Sequence, residues 1–92
     1  MHGYAKDKEA LTKRLHRIEG QVRGVENMIE EDRYCIDVLT QISAVQAALD
    51  KVALGLLDEH ARHCVAAAAD PALRDERTEE MLAAVARMMR RA

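Results

Sequence analysis

The stretch RLHRIEGQVRGVENMIEEDRYCIDVLTQISAVQAAL, residues 14–49, decides the fold, because it holds most of two apolar stripes on either side of one charged turn. The first stripe starts just upstream and advances in steps of three and four residues: Leu11, Leu15, Ile18, Val22, Val25 and Ile29. This spacing puts the side chains on one face of an α-helix. The sequence therefore predicts a first helix from about residue 6 to residue 31.

The second stripe has the same spacing and continues towards the alanine run at residues 66–69: Val38, Ile42, Val45, Leu49, Val52 and Leu56. It predicts a second helix of roughly 35 residues, about 50 Å long, in which Gly55 is the interior position expected to allow a bend. Asp32 is expected to cap the start of this helix. After Asp70 and Pro71, an apolar pattern through Met81 and Val85 predicts a shorter third helix.

Composition agrees with an all-α fold and a single domain over residues 1–92. Of the 92 residues, 49% are hydrophobic, only two are aromatic and one is proline, which disfavours a protein built from many short strands. One chain cannot bury the two long stripes. We therefore expect an antiparallel four-helix-bundle homodimer, which the third helix could extend to a dimer of dimers.

Charge is segregated along the chain. Residues 1–23 carry six basic and three acidic side chains, whereas residues 26–37 carry five acidic side chains and one basic. The basic segment is either a footprint for a polyanion or a solvated helix face. The sequence has no apolar run long enough for a membrane helix and no apolar region at its start, so we expect no membrane partner and a cytoplasmic protein.

Two cysteines do not make a disulfide framework, so they are candidate metal ligands, redox thiols or core residues. His60 and Cys64 lie one helical turn apart on one face, and His63, about 100° away, should point elsewhere. Such a pair is also typical of ordinary core packing. Cys35 precedes His60 by 25 residues, or roughly 37 Å of helix, so it can join them only across an antiparallel dimer.

Two thiolates and one imidazole form a soft, three-ligand set that favours Cu(I) over Mg²⁺, Ca²⁺ or Mn²⁺. Structural zinc takes four protein ligands, one more than this set provides. The sequence shows no general base and implies no substrate pocket, so we do not expect an enzyme.

Residues 14–49, together with LLDEHARHCV at residues 56–65, resemble the copper-sensing operon repressors of the CsoR type, within the wider CsoR/RcnR family. The resemblance implies an all-helical dimer of dimers without a helix-turn-helix. It further implies a repressor that binds operator DNA without metal, releases it on binding Cu(I), and so derepresses copper efflux genes.

Carried over by position, the family's copper ligands fall on Cys35, His60 and Cys64, the residues that the spacing selects. The family also has two residues that are proposed to link the metal-bound histidine to DNA binding. Their positions correspond here to Tyr34 and Glu80, or to Glu79 if the alignment shifts by one residue. Basic residues on the first two helices are implied to contact DNA. These are Arg14 and Lys51, with Arg17 and Arg23 as neighbours.

Two other functions remain open. Relatives that sense nickel or cobalt carry an N-terminal histidine, whose register falls here on Gly3 beside His2, and have histidine in place of Cys64, so the resemblance favours copper over these metals. Persulfide-sensing relatives lack the histidine corresponding to His60. The two functions that remain open are a thiol or persulfide sensor that uses Cys35 and Cys64, and a copper buffer that does not bind DNA.

Overall fold

The computed structural model describes residues 7–90 and confirms the all-α prediction, with no strand among those residues. Three α-helices follow in order: α1 (Lys8–Glu30), α2 (Cys35–His60) and α3 (Pro71–Met89). A π-helical segment, Ala61–Ala66, follows α2 directly and is called the π segment below. None of the helices within residues 7–90 has the length and apolarity that a membrane span requires. The expected helix start at Lys6, and the positions of His2 and Gly3, lie outside the described residues.

The chain divides into two compact units, Asp7–Leu54 and, among the described residues, 55–90. In the first unit, α1 packs against α2 through a core of Leu11, Ile18 and Val52, with Val45 and Ala48 against it. Leu11 lies near the start of α1, whereas Val52 lies late in α2. The two helices are therefore antiparallel, as expected of helices joined by a short connection.

Asp32 closes α1 rather than starting α2, so the prediction that it caps the second helix is wrong. Its φ of 56° lies in the left-handed region. The Arg33 N–H donates to the Met28 carbonyl at 2.9 Å, and the Asp32 N–H donates to the Ile29 carbonyl at 3.1 Å. This pair of bonds is a Schellman motif, in which the left-handed residue satisfies the last helical carbonyls.

The second helix is not one α-helix of 35 residues. It has 26 α-helical residues, through Gly55 to His60, followed by the six residues of the π segment. The helix is therefore irregular at Ala61–Ala66 and not at Gly55. A π-helix forms when the backbone hydrogen bonds change to the i to i+5 type, which widens the turn and does not require a glycine. Such insertions are frequent at functional sites.

Only part of the predicted apolar stripes is buried. Among residues 7–90 the buried hydrophobic side chains are Leu11, Ile18, Val38 and Val52. Ile29 is 60% exposed and Leu39 is 55% exposed, although both are large and apolar. Besides Ile29, the exposed members of the two predicted stripes are Leu15, Val22, Ile42, Leu49 and Leu56, whereas Leu39 lies outside both stripes.

Replacing Asp32 with glycine should stabilise the protein. Glycine adopts a positive φ without the steric cost that an L-residue bears, so we expect Asp32→Gly to raise the free energy of unfolding by about 0.5–1 kcal/mol. Asp37→Gly is the matched control because Asp37 lies in the first turn of α2. There glycine should lower stability by about 1 kcal/mol. Urea unfolding at one fixed protein concentration measures both, and a loss of stability in Asp32→Gly would contradict the Schellman assignment.

Candidate metal centre

The unit formed by residues 55–90 has a cavity of about 450 Å³, which brings together its three predicted site residues, His60, Cys64 and Glu80. His60 is the last residue of α2 and Cys64 belongs to the π segment, whereas Glu80 lies on α3. The side chains with metal-binding or charged groups around it are His60, His63, Cys64, Arg77 and Glu80. The structure therefore assembles an imidazole and a thiol, four residues apart, beside a carboxylate from another helix.

The position of α3 beside the π segment depends on local contacts at its start. The Asp70 carboxylate accepts a hydrogen bond from the Ala72 N–H at 3.0 Å, and Pro71 occupies the first helical turn. Both residues are preferred at the start of a helix. Arg74 then donates to the Ala68 carbonyl at 2.9 Å. These contacts fix where α3 begins and so bring Glu80 to the cavity.

Glu79 and Glu80 are both exposed, but only Glu80 lines the cavity. Arg77 Nη1 donates to Glu80 Oε1 at 2.9 Å. The guanidinium therefore adds a positive charge beside the thiol and imidazole. Sequence reasoning missed Arg77, although its spacing of three residues from Glu80 on one helix was a usable signal.

His63 lines the same cavity as His60 and Cys64, so the prediction that it points elsewhere is wrong. The prediction assumed α-helical rotation, and His63 lies in the π segment, where each turn is wider. Its Nε2 lies 2.9 Å from Oε2 of Glu59, one turn earlier. Glu59 is a second residue that sequence reasoning missed, although the pair has the ordinary i to i+4 spacing of helical ion pairs.

Cys35 and Tyr34 belong to the other unit, Asp7–Leu54. Cys35 is exposed and lines a separate cavity of about 380 Å³ with Ile29, Val38 and Leu39. The Tyr34 side chain is also exposed, while its carbonyl accepts from the Asp37 N–H at 3.0 Å and so begins α2. Tyr34 therefore caps the helix through its backbone and leaves its phenol available.

Within residues 7–90, no three His, Cys, Asp or Glu side chains come close enough together to hold a metal ion. Neither Cys35 nor Cys64 forms a disulfide. The thiols and the His60 imidazole are soft or borderline donors, which suit Cu(I). The donor chemistry fits such an ion, but within residues 7–90 the cavity holds two of the three predicted ligands, His60 and Cys64, without Cys35.

The predicted DNA-contacting residues are exposed and make no ion pair within residues 7–90. These are Arg14 and Arg17 on α1 and Lys51 on α2. Neighbouring side chains on α1 have acidic partners instead, since Lys13 contacts Glu9 at 3.7 Å and His16 contacts Glu19 at 3.5 Å. Arg14, Arg17 and Lys51 can therefore offer their full charge to a polyanion.

Comparison with known proteins places the chain in a family. The family model described as metal-sensitive transcriptional repressor matches residues 7–88. The chain belongs to this family. It is 58% identical over 91 residues to the copper-sensing transcriptional repressor RicR of Mycobacterium tuberculosis, covering 97% of this chain and 95% of the relative.

Solved structures of this family share the fold. A crystal structure of the copper-sensing repressor CsoR with Cu(I), from Geobacillus thermodenitrificans, matches with a TM-score of 0.84 and 46% identity over 94% of this chain and 90% of that one. The nickel-responsive transcriptional regulator InrS matches with a TM-score of 0.74 and 42% identity over 86% and 89%. The predicted family and all-helical fold are therefore confirmed.

Proposed function

We propose that this chain is a Cu(I)-responsive transcriptional repressor that acts in the cytoplasm as a single domain and is not an enzyme. It binds operator DNA in the metal-free form and releases it on binding Cu(I), which derepresses copper efflux genes. The observation that carries the proposal is the cavity shared by His60 and Cys64, in a chain 58% identical to a copper-sensing transcriptional repressor.

The proposed site is completed by a second copy of the chain. His60 and Cys64 provide one imidazole and one thiolate, and Cys35 of the partner subunit provides the second thiolate. The exposed apolar residues of α1 and α2 support a homodimer, because with four hydrophobic side chains buried among residues 7–90, most of the two stripes stays in contact with water. An antiparallel arrangement generates two such sites by symmetry, and pairing of dimers gives a tetramer.

Tyr34 and Glu80 are proposed to orient the His60 ring and transmit its ligation. A carboxylate or phenol that accepts from the free imidazole N–H fixes both the tautomer and the ring orientation of a metal-bound histidine. Glu80 is in the cavity with His60, which supports this role. Tyr34 precedes Cys35, so in the dimer it would approach the site with the partner subunit's thiolate.

DNA binding is assigned to Arg14, Arg17 and Lys51. They are exposed and carry no ion pair within residues 7–90, so their positive charge is available to phosphates. Phosphate contacts position a protein on DNA, and without a recognition helix, sequence-dependent DNA shape is the remaining means of discrimination.

Anaerobic titration of the reduced protein with Cu(I), against a chromophoric Cu(I) chelator, tests the site. We expect one tightly bound Cu(I) per protomer, and at least a hundredfold weaker binding, about 2.7 kcal/mol, in Cys35→Ala and in His60→Ala. His16→Ala is the matched control, because His16 is an exposed histidine paired with Glu19 outside the proposed site. Its Cu(I) affinity should equal that of the wild type.

Failure of the wild-type protein to compete with even a weak chelator would overturn copper sensing. The paired thiols would then be examined as a sulfur or redox switch, for which His60→Ala should largely preserve the response. Tight Cu(I) binding without salt-sensitive operator binding would instead identify a copper buffer.

Reciprocity between metal and DNA is a second test. If Cu(I) weakens operator binding by some factor, then operator DNA must weaken Cu(I) binding by the same factor. We expect a factor of 5–150, which corresponds to about 1–3 kcal/mol of coupling. The two affinities are measured by chelator competition with and without operator DNA. Equal Cu(I) affinity for free and DNA-bound protein would exclude the mechanism.

The DNA assignment predicts a particular salt dependence. Removal of one side chain that neutralises a phosphate should make the slope of log K against log salt concentration shallower by about 0.9. We therefore expect Arg14→Gln and Arg17→Gln to flatten this slope in fluorescence anisotropy titrations. Lys13→Gln removes the same charge from a residue already paired with Glu9 and should change the slope less. An equal change in all three variants would show a diffuse charge effect instead of specific contacts.

A further inference from the structure

Two residue pairs of the same spacing lie side by side at the end of α2. His60 and Cys64 form one pair, and Glu59 and His63 form the other, shifted by a single residue. Three of these four residues line one cavity: His60, His63 and Cys64. The cavity therefore contains an imidazole that the proposed copper set does not use.

Among the contacts between acidic and basic side chains in residues 7–90, the one between Glu59 and His63 is the least exposed. The two side chains are 12% and 32% exposed, and Glu59 Oε2 lies 2.9 Å from His63 Nε2. The other pairs are more exposed, such as Arg62 with Asp58 at 70% and 57%. Because both side chains are largely withdrawn from solvent, the 2.9 Å contact limits the positions open to the His63 ring.

The chemistry of the cavity would change if His63 were released. Nε2 lies at the far end of the imidazole ring, and here it faces a carboxylate. With His63 free to turn, one chain would offer two imidazoles and one thiolate in the same cavity. Zinc, nickel and cobalt(II) favour such nitrogen-rich sets, whereas Cu(I) favours thiolates and low coordination number.

The carboxylate that lines the cavity is also engaged. Glu80 accepts from Arg77 at 2.9 Å, so its charge is balanced by a guanidinium on its own helix. Consistent with both contacts, no group of three potential ligands forms within residues 7–90. Within residues 7–90, no third side chain therefore joins His60 and Cys64 as a potential ligand.

We propose that Glu59 is a metal-selectivity residue, which restrains His63 and so keeps divalent ions from using it together with His60 and Cys64. This inference rests on the proposed function, because it concerns discrimination at the same site. Glu59 acts through His63 and does not itself contact the metal.

Titration of the reduced, metal-free protein with Co(II) tests the proposal, with Co(II) affinity measured by chelator competition and its coordination by absorption. We expect Glu59→Ala to bind Co(II) at least about tenfold more tightly, or 1.4 kcal/mol. Alanine is the best helix former, so the variant should fold, and circular dichroism verifies this. Glu59→Gln, which keeps an acceptor oxygen near His63, should show a smaller gain.

The sign of the effect separates restraint from simple electrostatics. Removing a carboxylate takes away a negative charge that attracts cations, so the change in charge by itself should weaken Co(II) binding. Tighter Co(II) binding therefore cannot come from the change in charge. The double variant Glu59→Ala/His63→Ala should return to wild-type Co(II) affinity, because the added donor is then absent. Glu79→Ala is the matched control, since Glu79 is exposed and does not line the cavity.

Unchanged or weaker Co(II) binding in Glu59→Ala would overturn the proposal, and so would a gain that persists in the double variant. These outcomes are independent of the Cu(I) titration. If the wild type fails to bind Cu(I), the proposed function fails; if Cu(I) binding is normal and the Co(II) gain is absent, only the selectivity role of Glu59 fails.

Discussion

Burial of two apolar stripes is the requirement on which the other features of this protein depend, and one chain meets it only in part. Leu11, Ile18 and Val52 form a core where α1 packs on α2, yet Ile29 and Leu39 remain more than half exposed. Each Å² of apolar surface removed from water contributes about 25 cal/mol, so these residues favour a partner. In the proposed homodimer, a second copy with the same stripes would supply this partner and would bring Cys35 to a site that has a single thiolate.

Coupling of metal and DNA binding needs an element that both sites can influence. Helix α2 carries Cys35 at its start, Lys51 in its second half and His60 at its end, so one element holds residues assigned to both functions. The π segment follows it and carries Cys64, with its six residues in a less regular hydrogen-bond pattern. Metal binding at His60 and Cys64 would therefore act on the π segment, the least regular part of this helix, and on the end of α2 next to it.

Much of this arrangement could be predicted because it depends on local periodicity. The steps of three and four residues determine helices, and the Asp70-Pro71 pair determines where α3 begins. Cys35, His60 and Cys64 could be selected because helical rise and rotation are regular over long distances. The errors occur where regularity fails: Asp32 takes a left-handed conformation and closes α1, and His63 lies in a π-helical turn.

The sequence by itself determined the all-helical class, the apolar faces, the donor types and the family, since each depends on residue identity and spacing along one chain. Only the tertiary structure decided that Glu80 and not Glu79 reaches the cavity, and that His63, in contact with Glu59, faces the same space. These depend on how α3 packs against the π segment and on a non-standard helical turn. Neither the packing of α3 nor the π-helical turn can be recognised from residue spacing, because both stretches have the apolar spacing of an ordinary α-helix.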